Sequence, residues 1–483
     1  MGISSCDKYL DVNTDPNNPS EDNITAELVF PGLEMNLASS YGDFLKIAGG
    51  YFSEQYAQTF GTSNYLDYSQ FTMSATRSSG TYIQLTSRVL KNLKVVRDLT
   101  SSKEEWGTYL AATTLWAFTY QVLVDAYGEI PYTEALDVTN VTPKFDDGIT
   151  IYNGILADLD DALSKATPTS PVPSTFLFED LNATKWIQFA NALKLRILMR
   201  MSKVQDVKAQ LDALTAENNF PTSDVAWAGF WTDASGQANP FYQEESASYF
   251  GSNQVNVIAN LTLTTTMSES EDARLQKFFL PNKAANQYQG GVSGTNFAAS
   301  ATYKESYFCR PVSAYDDPVY LITVAETEFF LSEYAARYGS AADAETHYKA
   351  AITASFETAG ATGAEKIYDT YYPYSNSNHE KVIGIQKWVA LSGTNNFEAW
   401  VEMRRLKYPA FGSVTGTQIY NETTNVFNPG LYKSGTLYTP IKVNSVLGAE
   451  KVLQRFRYPE SSTSRNPNAP ADKPDSEPVF WGK

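Results

Sequence analysis

The chain reads as mainly α: a superhelix of tetratricopeptide-like helical pairs, interrupted by a long irregular ligand-binding insertion and carrying few short strands. Three observations predict it. Amphipathic stretches with helical spacing follow one another across very short links, which makes sequence neighbours antiparallel partners. That periodicity collapses between residues 219 and 317, where Asn, Ser, Gly and aromatic residues take over. Helical spacing then resumes from Val319. Its first two helices flank Gly339, with Ala335 and Ala336 before the turn and Tyr348 and Ala351 after it, at tetratricopeptide-like offsets.

Residues 7–23 are rich in Asp, Asn and Pro and read as an extended loop. A helix is expected from Thr25 to Ser40, with Thr25 as cap and Leu28, Leu33 and Leu37 inward, continuing through 43–62. Tyr65 to Ser79 reads as a polar loop, and Tyr82 to Leu99 as an amphipathic helix with Leu85, Val89, Leu93 and Val96 on one stripe. Trp106 to Tyr127 is apolar nearly all round, which predicts a buried central helix. Gly128 can take the left-handed turn that ends it, and Pro131 bars continuation. Further helices are expected at Tyr152–Ala166, Asn182–Ser202 and Val204–Glu217, and one helical piece within the insertion near Thr264–Phe279. Val319–Tyr338, Ala341–Glu357, Lys381–Leu391 and Phe397–Leu406 complete the helical pairs, and an irregular tail follows. The implied organisation is an N-terminal tail (1–24), a first helical block (25–218), the aromatic insertion (219–317), a second helical block (318–408) and a C-terminal segment (409–483), packed as one unit.

The formal net charge is −17 over 483 residues, with no clustered basic footprint, so nucleic acid and anionic membrane surfaces are excluded as partners. A surplus of 31 Tyr, 26 Phe and 8 Trp suggests surfaces that stack on flat, neutral ligands. Cys6 and Cys309 are too far apart in the chain to suggest a structural disulfide, and two histidines leave little for a metal or catalytic centre. No cofactor is expected. Asp11, Asn13 and Asp15 fall at offsets reminiscent of a calcium loop, but its glycine and closing glutamate are missing, so Asx-turns explain them better than a structural calcium. Ile3-Ser4-Ser5-Cys6 resembles the end of a bacterial lipoprotein signal, which would make Cys6 a lipidation site. An incidental free cysteine is the alternative.

Several blocks resemble the SusD/RagB family of outer-membrane nutrient-binding lipoproteins. AFTYQVLVDAYGEIPYTEAL at 117–136 looks like the family's signature segment. LDVNTDPNNP, KWIQFANALKLRILMRM (185–201), AETEFFLSEYAARYG (325–339), IQKWVALSGTNNFEAWVEMRRLKYP (385–409) and RFRYPESSTSRNPN (455–468) look like the other blocks in family order. The resemblance implies helical pairs packed on a SusC-like TonB-dependent outer-membrane transporter, a looped face that binds glycan noncovalently, no enzymatic chemistry, and contact with the membrane only through a lipid on Cys6. One departure stands out. Relatives often carry a Trp four positions before the Tyr that opens the helix after the first loop, and here that place holds Ser78, ahead of Tyr82. A stacking platform must come from other rings.

A sugar needs a flat aromatic against its C–H face and planar polar groups for its hydroxyls. Trp227 and Trp231, with Asp233, Gln237 and Asn239 nearby, form one candidate cluster. Tyr65 and Tyr68 with Asp67 form a second, and Tyr242, Tyr249, Tyr288 and Tyr315 a third group. The competing reading is that Trp227, Phe230 and Trp231 staple the loop to the helices, the commoner outcome for any single ring. Adjacent acids such as Asp160-Asp161 do not make a glycosidase pair, because those carboxyls must face each other across a substrate. Arg404 and Arg405 read as fold residues paired with acids. The same lipoprotein class binding peptides or another nutrient, a helical-repeat scaffold and an α-helical glycoside hydrolase remain the alternatives, and the long aromatic insertion argues against a bare scaffold.

Overall fold

The computed structural model describes residues 25–245, 256–298, 300 and 302–483. Cys6, the Asp11, Asn13 and Asp15 loop, and Tyr249 lie outside the described residues. The first helix, α1 (Ala26–Ser40), buries Leu33 and Leu37 as expected but leaves Leu28 66% exposed, and Thr25 makes no side-chain cap. A π-turn at Tyr41–Leu45 carries it into α2 (Lys46–Phe52), which ends well short of the expected 62 because the chain then enters a strand. The predicted loop 65–79 contains the start of α3 (Ala75–Ile83), capped where the Ser74 hydroxyl accepts from the Arg77 N–H. After a second π-turn, α4 (Lys91–Ser102) completes the stripe of Leu85, Val89, Leu93 and Val96, all buried.

At the centre lies α5 (Trp106–Tyr127), in which every residue from Gly107 to Tyr127 is buried. Gly128, at φ +85°, donates to Val124 O at 2.8 Å and ends it. Packed against it are α6 (Gly148–Lys165) and α7 (Thr184–Met201); α8 (Lys208–Glu217) packs on α7, and α9 (Leu261–Glu269) lies in the insertion. The second block is α10 (Val324–Tyr338), α11 (Ala341–Ala359), α12 (His379–Ala390) and α13 (Asn396–Leu406). The two blocks touch most closely where α2 crosses α13. A methyl group on Gly49 would stand 2.5 Å from the Phe397 backbone, so only glycine permits that approach.

Among the described residues, ten short strands pair two by two. β1 (Tyr56–Gln58) runs antiparallel to β3 (Val257–Ala259), β2 (Val225–Trp227) to β6 (Val319–Ile322), and β4 (Phe279–Leu280) to β5 (Arg310–Pro311). In the tail, β7 (Ala410–Thr415) is parallel to β10 (Thr436–Thr439), with β8 (Tyr420–Asn421) and β9 (Val426–Phe427) forming a hairpin. Residues 319–322, expected as the first turn of a helix, are therefore strand. Their alternating β-branched and aromatic residues satisfy the β2 ladder, and Thr323 caps α10 only afterwards.

A buried ionic network ties the blocks together. Arg196 on α7 donates to both Glu326 carboxylate oxygens on α10, at 2.7 and 2.9 Å, and to Gln121 on α5 at 3.1 Å. Arg200 donates to Asp125 on α5 at 2.5 Å and pairs with Glu398 on α13. Arg405 holds Glu333 at 2.7 Å and Glu402 at 3.0 Å, while Lys387 on α12 reaches Glu402 at 2.8 Å. Burial opposes charging Glu402, but Arg405, Lys387 and Arg200 hold its carboxyl well below the usual range. Asp125 also accepts from Tyr152 OH at 2.5 Å and from the Trp481 indole at 2.7 Å, which brings the C-terminus into the same centre.

Removing one member of such a network leaves a buried charge unpaired. Arg200→Met is expected to lower unfolding free energy by about 3–5 kcal/mol in urea titrations. A second site reports on pH. Burial raises the Glu129 carboxyl, but the Lys473 hydrogen bond and Arg455 outweigh it and bring it down to about 2. A depressed acid contributes stability above its unfolded value and loses it as pH falls through its folded one. Denaturation curves should therefore weaken between about pH 4.5 and 2, and Glu129→Gln should flatten that part of the slope.

Candidate ligand-binding site

The β2–β6 ladder sets the geometry of the insertion. Trp227 faces Val319 and Ala226 faces Tyr320, so strand alternation sends Trp227 and Val319 into the core and leaves Tyr320 half-buried on the outer side. Trp227 is fully buried, its indole donating to Glu34 Oε1 at 3.3 Å. The same carboxyl accepts from the Phe176 and Leu177 amides at 2.8 and 3.1 Å. Burial pushes Glu34 up to about 7, against the pull of these donors. Trp227 thus staples the insertion to α1 and has no face to offer a ligand, which corrects its place among the stacking candidates.

Beyond Gly229, at φ +81°, the chain turns outward and presents Phe230 and Trp231. Their ring centroids are 4.5 Å apart, and Phe176 from the loop after α6 stands 4.7 Å from Phe230. The Trp231 N–H donates to Trp227 O at 3.2 Å, which fixes the indole while leaving it half-buried rather than enclosed. Phe176 is 37% exposed, so three rings form a ridge at the surface. Exposed Thr232, Asp233 and Gln237 lie just beyond, in a turn closed by Thr232 N to Gln237 O at 2.9 Å and by the Thr232 hydroxyl on Gln237 Oε1 at 3.1 Å.

The loop returns at Asn239, which is buried and structural. Its backbone N–H donates to Tyr315 O at 2.7 Å, its side-chain amide to Asp317 O at 2.9 Å, and its Oδ1 accepts from the Tyr242 N–H at 3.0 Å. Beside it opens a groove of about 150 Å³, lined among others by Phe241, Phe278, Asp317, Tyr320 and Thr358. Lys46 from α2 lies in its wall, 5.0 Å from the centre of the Phe241 ring, and donates to Gly393 O at 2.7 Å. Burial lowers this ammonium to about 8, partly offset by Asp317. Tyr315, 38% exposed, and Tyr242 meet edge to face at 6.4 Å on the same side of the hairpin.

The second cluster does not serve as a platform. Tyr65 and Tyr68 stack on each other at 5.5 Å, both buried, with Tyr65 OH donating to Glu244 at 3.0 Å. Asp67 pairs with Arg77 at 3.1 Å, and that guanidinium lies over the Tyr68 ring. Tyr288 is half-buried against the main core, apart from the ridge. The structure therefore brings Trp231, Asp233 and Gln237 together, with Tyr242 and Tyr315 beside the groove. Phe176, Phe230, Lys46, Phe278 and Tyr320 are the residues that sequence reasoning did not single out for a ligand. Phe176 had a signal: two phenylalanines in a Pro-rich loop with no helical register. Among the described residues, no group of three or more His, Cys, Asp or Glu is placed to hold a metal ion, and no helix is long and apolar enough to cross a membrane.

Solved structures share this architecture. A SusD homologue from Bacteroides uniformis aligns with TM-score 0.74 and 19% identity, covering 94% of this chain and 98% of that one. A chitin-binding protein aligns with TM-score 0.74 and 20% identity, covering 95% and 99%. A SusD-like protein from Bacteroides thetaiotaomicron gives TM-score 0.72 at 20% identity, covering 93% and 98%. At such identities the likeness establishes the fold, and the expected helical-pair architecture agrees with it. No curated protein matches the chain. A SusD-like family model, described as starch-binding and associating with the outer membrane, matches residues 18–429. With that match over most of its length, the chain belongs to the SusD-like family, whose members bind glycans at the outer membrane and are not enzymes.

Proposed function

We propose that this protein captures an oligosaccharide noncovalently at the Phe176–Phe230–Trp231 ridge and the adjoining groove, and passes it to a SusC-like TonB-dependent outer-membrane transporter. The observation that carries the reading is the ridge itself: three touching rings at the surface, with Trp231 half-buried and its N–H already bonded to backbone. Aromatic faces pack against the C–H face of a pyranose, and the exposed Asp233 and Gln237 side chains supply acceptors and donors for its hydroxyls. A lipid on Cys6 would hold the protein at the surface beside its transporter. Chitin binding in a structural neighbour supports a polysaccharide ligand for this chain as well.

Isothermal titration against a panel of neutral oligosaccharides tests the ridge. Trp231→Ala should weaken binding by about 0.5–1.5 kcal/mol while leaving the melting temperature nearly unchanged. Trp227→Ala should do the reverse, costing about 3–5 kcal/mol of stability because a fully buried ring is lost. Silence across the panel, or equal binding by wild type and Trp231→Ala, would remove the ridge as a glycan site. For the anchor, Cys6→Ala in the natural lipoprotein should move the protein from the outer-membrane fraction to the soluble one. Unchanged partitioning would eliminate Cys6 as the lipidated residue.

A further inference from the structure

A larger cleft, about 480 Å³, opens at the C-terminal end of α13, built from elements other than the insertion. Its walls are the end of α13, the start of β7, Leu437 of β10, the segment 450–454 and residues near the C-terminus. Volumes of this size hold small-molecule ligands. Apolar surface comes from Met403, Phe411, Leu437 and Val452, and polar atoms from Gln454 and Ser476.

Charge is what sets it apart. Arg404, Lys407 and Lys451 line the cleft, and among the described residues none of them forms an ion pair with a carboxylate and Glu450 is the single acid in the wall. In a chain of net charge −17 this is an unusual concentration of unneutralised cation. The neighbouring core arginines show the contrast, since Arg196, Arg200 and Arg405 each pair with a glutamate or aspartate. Arg404 instead donates to the backbone carbonyl of Asp125 at 2.8 Å and to that of Gln454, and lies 3.6 Å over the Trp400 ring. Burial and the nearby Arg200 and Arg455 push it down to about 9, against the attraction of Asp125. Lys407 donates to Gly482 O at 2.9 Å, so its ammonium is held at the cleft. Burial, then Arg404 and Lys203, lower its proton affinity, and an entering anion would relieve that repulsion.

We propose that this cleft is a second ligand site, taking the carboxylate-bearing residue of an acidic oligosaccharide. The Lys407 and Lys451 ammonium groups meet the carboxylate, the half-buried Phe411 ring lies against the sugar's C–H face, and Ser476 and Gln454 reach its hydroxyls. The site rests on its own residues, and its failure leaves the Trp231 ridge standing.

Titration of the full chain with digalacturonate, and with the neutral digalactose of the same linkage, tests it. Digalacturonate should bind more tightly than the neutral sugar, and more weakly as salt rises. Lys407→Gln with Lys451→Gln should reduce digalacturonate affinity about tenfold or more, the value of a charge-assisted hydrogen bond. Trp231→Ala should leave that affinity unchanged. Lys451 is exposed and Lys407 gives up only its bond to Gly482 O, so the double variant should melt close to wild type; a fall in melting temperature directs the comparison to Lys451→Gln alone, expected to weaken binding in the same direction. No binding of digalacturonate, equal binding of the two sugars, indifference to the lysine substitutions, or binding of an acidic peptide in place of the sugar would each overturn the proposal.

Discussion

The ionic centre where α5, α7, α10, α12 and α13 meet constrains everything around it. Each guanidinium or carboxylate taken from water costs several kcal/mol unless its partners are all in place. Arg196 must therefore reach Glu326 and Gln121 at once, and Arg405 must reach Glu333 and Glu402. Arg196 and Glu326, like Arg200 and Glu398, lie in blocks separated by the whole insertion. Satisfying them fixes the first helical block against the second, and the Gly49 crossing lets α2 and α13 approach closely enough for the core to close. Trp481 extends the same logic to the chain's end by giving its indole N–H to Asp125.

With the blocks held, the insertion has little freedom at its base. Val225 pairs with Ile322 and Trp227 with Val319, so the segment leaves and returns through one ladder. Trp227 is drawn under that ladder by Glu34, while Trp231, four residues on, is left at the surface. Two indoles of similar local context thus end in opposite environments. The Tyr65–Tyr68 pair shows a third outcome, in which rings satisfy each other and leave no ligand face.

Much of the architecture was legible in the residues. The apolar run of α5, with Gly128 as its stop, the stripe through Leu85 and Val96, and the α10–α11 pair all appear where periodicity placed them. Arg405 pairs with acids as expected, whereas Arg404 rests on carbonyls and the Trp400 ring. The departures share a cause. Leu28 is apolar at helical spacing, yet no element among the described residues covers it, and 319–322 is strand because a partner strand arrives from 225–227. Of the candidate site, Trp231, Asp233 and Gln237 were within reach of the sequence, while Phe176 joined them only through folding.

By itself the sequence determined which stretches are helical, where the regular pattern breaks, and the acidic, ring-rich character that suits a neutral ligand. These follow from local periodicity and composition, which adjacent residues carry without help from distant ones. Only the tertiary structure decided which rings face solvent, which arginines are neutralised, and where an unpaired cationic cleft opens. Burial and pairing depend on partners far along the chain, 193 residues away for Glu34 and Trp227 and 75 for Gly482 and Lys407, and no local pattern encodes that meeting.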